Sequence, residues 1–411
     1  MGNVTQHQTG DAIMSYRTIS DFKELAGKRV LVRVDFNVPM NDKGEITDVT
    51  RIERALPTIR ALIDRSAKVI LLSHFGRPKG ERVQSMSLEP VAKRLEEIMR
   101  ERVYFGADCI GNQAKAAVSA AGSGDIVVLE NTRFHKGEEE NDPDFAKALA
   151  ANGDLYVNDA FSAAHRAHAS TEGLAHILPS AAGKAMEREL DYLTQALADP
   201  KQPMMAVVGG AKVSSKLDVL TNLIEKAQYL VVGGGMANTF LLAMGMDVGK
   251  SLAEPDLVGT ANEIMAKASG AGCQIILPKD VVVAKEFKAG AKSEVKAADN
   301  VAADEMVLDL GPDSVDHIAE LLESCRTLVW NGPLGAFETE PFHVATVEAS
   351  RFAAKLAREG KLVAVAGGGD TVSALNMAGV VDDFTYVSTA GGAFLEWMEG
   401  KVLPGVKALE V

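Results

Sequence analysis

The chain has 411 residues, 47% of them hydrophobic and 24% charged, and a net charge of -13. That length exceeds one ordinary core and implies about two to three domains; no run approaches the ~20 apolar residues of a membrane helix, and the acidic balance disfavours nucleic acid as the main partner. Cys109, Cys273 and Cys325 stand far apart without a C-x-x-C, which argues against a disulfide scaffold or zinc site and fits a reducing cytoplasm.

Residues 1–13 are polar, lack the apolar core of a signal peptide and the arginines of a transit peptide, and read as a disordered extension, with Met14 a candidate functional start. From Lys28 an apolar run of strand length, a glycine- or charge-bearing turn and a helical stretch recur. Strands are predicted over 29–34, 68–72, 125–129, 155–157, 205–208, 229–232, 274–277, 327–330 and 362–366, with a last one over 385–387 before a short helix. Helices are predicted over 51–65, 88–100, 143–151, 187–198, 314–324 and 343–357. Such alternation predicts parallel βα units, and strands apolar throughout predict sheets covered on both faces. The series breaks between about Gly173 and Pro203, where Leu178–Gly183 and the following amphipathic helix read as the link between two α/β halves.

Ligands of such sheets bind beyond the carboxyl ends of the strands. In the first half these ends carry Asp35 and Asn37, His74-Phe75-Gly76-Arg77, Glu130 to Arg133, and Asp159 followed by His165-Arg166-Ala167-His168, while Arg51 opens the first helix. Arg51, His74, Arg77, Arg133 and Arg166 therefore reach one edge if the strands are parallel. The arginine fork fits carboxylate and phosphate oxygens, so the set points to a small phosphorylated acid. Asp35 and Asn37 would read its hydroxyls or orient the arginines. Singly each has an ordinary alternative, a surface arginine capping a helix or an aspartate opening a turn; only the set carries the reading.

The second half carries glycines instead: Gly209-Gly210, Gly233-Gly234-Gly235, Asn331-Gly332-Pro333-Leu334-Gly335 and Gly367-Gly368-Gly369-Asp370-Thr371. Close backbone approach suits a nucleotide, whose phosphates take main-chain N–H groups. Met204–Leu220 reads as strand, tight turn and helix start, with Lys212 and Lys216 four apart on one helical face, a placement that an anion at the helix N-terminus would relieve. Asp370 is either a simple N-cap or a ligand where Mg²⁺ bridges phosphate oxygens, and Glu338 could accept from ribose hydroxyls. Neither G-x-G-x-x-G nor a Walker loop is present at Met204–Leu220. One half thus suits a small phosphorylated carboxylic acid and the other a Mg-nucleotide.

VRVDFNVP, TRIERALPTI, SHFGRPKG, LENTRFHKGEE, YVNDAFSAAHRAHAST, GGAKVSSK, WNGPLGAFE and GGGDT stand in that order from about Tyr16 to the C-terminus. In these the sequence resembles the phosphoglycerate kinase family. The resemblance implies two doubly wound parallel-sheet, Rossmann-like α/β domains joined by a hinge. They would be a 3-phosphoglycerate domain over 14–183, to which a segment from about 396 to 411 returns, and a nucleotide domain over 184–395 that includes the linking helix. It implies that Asp35, Asn37, Arg51, His74, Gly76, Arg77, Arg133 and Arg166 hold 3-phosphoglycerate. Lys216, Glu338, Gly368, Gly369, Asp370 and Thr371 would hold MgATP or MgADP, with Asp370 on Mg²⁺ and Lys212 on the transferring phosphoryl group.

The reaction so implied is phosphoryl transfer from ATP to the carboxylate of 3-phosphoglycerate, giving ADP and 1,3-bisphosphoglycerate, in line after domain closure, in glycolysis and gluconeogenesis. The acceptor carboxylate, with a reference pKa of about 4, needs no general base. Alignment and charge cancellation remain, and they fall to Arg51 and Lys212 as catalytic residues. A nicotinamide dehydrogenase lacks its glycine fingerprint here, a non-catalytic sensor would not need Lys212, Lys216 and Asp370 together, and a scaffold would not place anion-binding groups at strand ends in both halves. A cytoplasmic monomer without membrane contact completes the expectation.

Overall fold

The structure, a computed structural model, describes residues 5–9 and 12–411, those before Ser15 by their backbone only. The remainder of the extension read as disordered lies outside the described residues. Contrary to that expectation, its described part forms an antiparallel ribbon of β1 (Thr5–Thr9) and β2 (Ala12–Tyr16). The chain divides into two compact units, one running to Asp191 and including Val402–Val411, the other Tyr192–Lys401. No helix among the described residues is long and apolar enough to cross a membrane.

The first unit is built on a six-stranded parallel sheet of β3 (Arg29–Arg33), β4 (Lys68–Leu72), β5 (Val103–Gly106), β6 (Ile126–Leu129), β7 (Leu155–Asn158) and β8 (Ser180–Ala182). Their order across the sheet is β5-β6-β4-β3-β7-β8. From β3 the chain winds outward through β4 and then returns to β7 on the other side, so the winding reverses between β3 and β7. Val30, Val32, Val69, Leu71, Ile126 and Val157 share one core with Ile52, Ile59 and Leu62 of the helix Thr50–Ile63 and Leu88, Val91 and Leu95 around the helix Glu89–Met99. Each buried aliphatic side chain of this kind contributes about 1.5–3 kcal/mol. The C-terminal segment packs on the same unit: Gly405 N–H donates to Ala164 O at 2.8 Å, and Val411 N–H to Ser15 O at 2.9 Å.

The second unit carries a six-stranded parallel sheet of β9 (Met204–Val208), β10 (Tyr229–Val232), β11 (Gln274–Ile276), β15 (Thr327–Asn331), β16 (Val363–Gly367) and β17 (Tyr386–Ser388), ordered β11-β10-β9-β15-β16-β17. Between β11 and β15 the chain inserts an antiparallel sheet of β12 (Asp280–Ala284), β13 (Ser293–Ala297) and β14 (Met306–Leu310), ordered β13-β12-β14. The main sheet reverses between β9 and β15, the crevice where doubly wound sheets bind ligands.

The doubly wound α/β architecture expected from the sequence is present, with local corrections, among them β5, which no predicted strand covers. Ser180–Ala182, read as part of a link, is the edge strand of the first sheet, paired in register with Tyr156–Asn158. The antiparallel sheet was not anticipated: β12 and β14 carry apolar stretches, but β13, SEVKA, lies exposed at the edge and has none. Lys212 and Lys216 do not share a helical face: Lys212 is extended, a 3-10 turn Val213–Ser215 follows, and the α-helix begins only at Leu217. Gly209-Gly210 leaves this segment to be organised by its contacts with β15 rather than by helical propensity.

Candidate functional site

At the reversal point of the first unit, the turn after β3 meets the turn after β7. Asp35 Oδ2 accepts from Arg51 Nη1 at 2.6 Å and from Ser162 Oγ at 2.5 Å. Burial would raise the Asp35 pKa, but Arg51 foremost, with the Ser162 hydroxyl and the Asn37 N–H, holds it below its ordinary value. A carboxylate thus anchors Arg51, leaving the rest of the guanidinium for another anion. Asn37 Oδ1 accepts the Gly76 N–H at 2.9 Å, and Arg133 Nη1 donates to Gly76 O at 2.9 Å, so Asn37, Gly76 and Arg133 form one chain of contacts across three strand ends. Glu139 lies 3.1 Å from Arg133 Nε.

Beneath these lies a residue the sequence reading did not single out. Arg33, fully buried at the end of β3, donates to Ser170 Oγ at 2.7 Å and Val34 O at 2.5 Å, with Nη2 2.9 Å from His74 Nδ1. Ser170 in turn donates to the buried Glu138 at 2.5 Å. Because Arg33 can only donate, His74 Nδ1 accepts, and the imidazole is neutral with its proton on Nε2. Burial, then Arg33 and Arg133, keep the His74 pKa well below its usual value, and burial with the same arginines and Arg166 lowers His168 to about 4. His74 therefore offers an N–H rather than a charge. A charged residue closing an otherwise apolar strand, RVLVR, was the available signal for Arg33.

Arg166 acts electrostatically on both Arg133 and His168, which puts it with the cluster. Arg77 follows Gly76 but no contact among the described residues ties it to the others. Both are exposed, and neither guanidinium makes a hydrogen bond or ion pair among the described residues. Arg166, exposed and unpaired beside the like charge of Arg133, is placed where an anion would relieve the repulsion.

In the second unit the turns after β9 and β15 touch at backbone level. A Cβ on Gly209 would fall inside the Pro333 carbonyl, and Gly234, at φ +66°, would bring one to 2.7 Å of Gly210 O. Lys216 folds back into this junction and donates to Gly209 O at 2.7 Å, Asn331 O at 3.1 Å and Asn331 Oδ1 at 2.6 Å. Burial lowers its pKa to about 8, partly countered by Asp370. Beside it opens a cavity of ≈ 550 Å³ with Gly210, Gly235, Leu252, Pro333, Glu338 and Asp370 among its lining residues. Gly368 (φ +97°) precedes the helix Gly369–Ala378, Thr371 Oγ1 accepts the Gly332 N–H at 2.7 Å, and Asn331 Nδ2 donates to Gly367 O at 2.8 Å. Lys212 and Glu338 are exposed, and neither makes a side-chain hydrogen bond or ion pair among the described residues.

Asp370 is not the N-cap, a position held by Gly368, but the second residue of the helix. Its carboxylate is exposed, makes no hydrogen bond or ion pair among the described residues and lines the cavity. A free hard-oxygen donor lining this cavity fits Mg²⁺, which takes one or two carboxylates and completes its shell with phosphate and water.

Residues 19–401 match the family model described as phosphoglycerate kinase. The chain belongs to the phosphoglycerate kinase family. It is 63% identical over 396 residues to the phosphoglycerate kinase of Rhizobium meliloti (strain 1021), covering 96% of this chain and 99% of that one. It is 62% identical over 397 residues to that of Brucella abortus biovar 1, covering 97% and 100%. Among solved structures, phosphoglycerate kinase from Coxiella burnetii superposes with a TM-score of 0.89 at 42% identity, covering 96% of this chain and 98% of that one; the Pyrococcus horikoshii OT3 enzyme gives 0.78 at 33%, with the same coverage. Family membership makes the chain a glycolytic phosphotransferase acting between ATP and the carboxylate of 3-phosphoglycerate. The fold and reaction expected from the motifs are thereby borne out.

Proposed function

We propose that the first unit binds 3-phosphoglycerate through Asp35, Asn37, Arg51, His74, Gly76, Arg77, Arg133 and Arg166, and that the second binds the nucleotide through Lys216, Glu338, Gly368, Gly369, Asp370 and Thr371. The observation that carries this reading is the contrast between the two sheet edges. One presents a cluster of arginines, with Arg51 anchored on Asp35 and Arg77 and Arg166 exposed without a side-chain partner among the described residues, and the other a glycine-walled cavity beside a lysine and a free carboxylate.

Arg77, Arg133 and Arg166 orient the substrate phosphate by bidentate contacts. Arg51, held at one end by Asp35, turns its remaining N–H groups to the acceptor carboxylate. Neutral His74 donates from Nε2 without adding charge. The carboxylate is already ionised, so no residue has to remove a proton, which is consistent with the absence of a base among these roles. Lys212, extended and unpaired, follows the phosphoryl group in flight, whose three oxygens stay negative between two anions. Asp370 would hold Mg²⁺, whose positive charge would offset the charge that develops on the departing ADP. Donor and acceptor must meet in line, so transfer follows closure of the two ligand-bearing units. The protein acts as a cytoplasmic monomer.

Turnover of ATP with 3-phosphoglycerate, coupled to NADH oxidation, tests the reading. Activity should require Mg²⁺, and Asp370→Asn should demand far more Mg²⁺ for half-maximal rate while 3-phosphoglycerate binding stays unchanged. An Asp370→Asn enzyme with wild-type magnesium dependence would remove Asp370 from the metal.

A further inference from the structure

At the ends of β5 and β6, at the edge of the first sheet away from the β3/β7 reversal, stand three side chains that the phosphoryl-transfer reading leaves without work. Asp108 and Cys109 follow β5, and His135 follows the 3-10 turn Thr132–Phe134 after β6. One donor atom from each, a carboxylate oxygen, a sulfur and an imidazole nitrogen, lie within 4.8 Å of one another. His135 Nε2 is 2.7 Å from Asp108 Oδ1, and the ring stacks on Phe145 at a centroid distance of 5.1 Å, which fixes its plane. Asp108 Oδ1 also accepts the Cys109 N–H at 2.6 Å, so the carboxylate is pinned by its own turn. Asp108 and His135 are each 29% exposed, whereas Cys109 is buried, so an ion would enter past the first two to reach the sulfur.

We propose that Asp108, Cys109 and His135 bind a divalent transition-metal cation of the Zn²⁺ or Co²⁺ class. A mixed oxygen, nitrogen and sulfur set selects borderline ions over Mg²⁺ or Ca²⁺, which take oxygen alone. Tetrahedral coordination with bonds of about 2.0–2.3 Å separates neighbouring donors by roughly 3.4–3.6 Å. The Asp108–His135 pair, at 2.7 Å, must therefore open by less than an ångström, and the sulfur, within 4.8 Å of both, close by at most roughly 1.4 Å. Three protein ligands leave a fourth position for water on the exposed side. On binding, the thiol proton leaves for solvent and the sulfur bonds the metal, while the imidazole proton shifts from Nε2 to Nδ1 and frees the Nε2 lone pair.

Cobalt titration of the nucleotide-free protein tests the site. A thiolate-to-cobalt charge-transfer band should appear in the near ultraviolet, persist in excess Mg²⁺, and vanish in Cys109→Ser, while His135→Gln should weaken binding by about ten-fold or more. No band in the unaltered protein, or the same band in Cys109→Ser, overturns the proposal. Should either variant melt prematurely, X-ray absorption of the zinc-loaded unaltered protein decides: one sulfur at about 2.3 Å with nitrogen and oxygen neighbours supports the site, and a shell without sulfur refutes it.

Discussion

Raising the pH through about 8 should discharge Lys216 and release the nucleotide, because burial has lowered that ammonium to within reach of ordinary buffers. With a pKa of about 8, roughly nine-tenths of the side chains are charged one unit below and one-tenth one unit above. Nucleotide phosphates stabilise the charged form, so binding takes up a proton in the upper part of this range. The Kd for MgADP should then rise about ten-fold across the two units, equivalent to about 1.4 kcal/mol. Calorimetric titration with MgADP at constant ionic strength measures it. Asp309 lines the same cavity and is raised to about 7 by burial, so its own effect falls about one unit lower. Lys216→Arg keeps its charge at every pH and should flatten the upper limb alone. A wild-type Kd constant through this window, or an upper limb that survives in Lys216→Arg, would refute the reasoning. Stability has its own sign: between about 8 and the unfolded value near 10.4 the folded chain binds fewer protons at Lys216, so this group makes stability rise with pH there.

Arg51→Ala and Lys212→Ala should each lower kcat by about 10²- to 10³-fold with the circular dichroism spectrum retained; near-normal kcat in either variant would clear that residue of a catalytic role. Gly209→Ala should cost more than about 3 kcal/mol, because its Cβ meets Pro333 backbone that cannot swing aside, and an unchanged melting temperature would contradict that packing. Removing the neighbouring charge in Arg33→Met should raise the His74 pKa, followed by proton NMR; a superimposable titration would mean that burial alone keeps this histidine neutral. Both ligands together should reduce the radius of gyration in solution scattering more than either alone, and equal radii would rule out closure.

Strand positions were legible where burial is symmetrical. KVILL and YLVV match the observed Lys68–Leu72 and Tyr229–Val232 to the residue, because a parallel strand covered on both faces reads as an unbroken apolar run. Ser180–Ala182, three small residues at a sheet edge, has no such run and is made a strand only by pairing with β7. Lys216 illustrates the same limit within the site. Its spacing from Lys212 gave a helical face, while its ammonium is placed by Asn331, 115 residues away.

The kind of chemistry at each sheet edge was readable from local sequence: arginines after the strands of one unit, glycines after those of the other. These follow from local composition, since a strand's end is marked by where its apolar run stops. Which of those groups carry charge, and where they point, follows from packing in three dimensions. Arg33 became the buried support of His74, Asp35 the anchor of Arg51, and Asp370 a free carboxylate rather than a cap. Those outcomes depend on strand order and burial, and pKa values follow neighbours distant in sequence; no window of local sequence contains them.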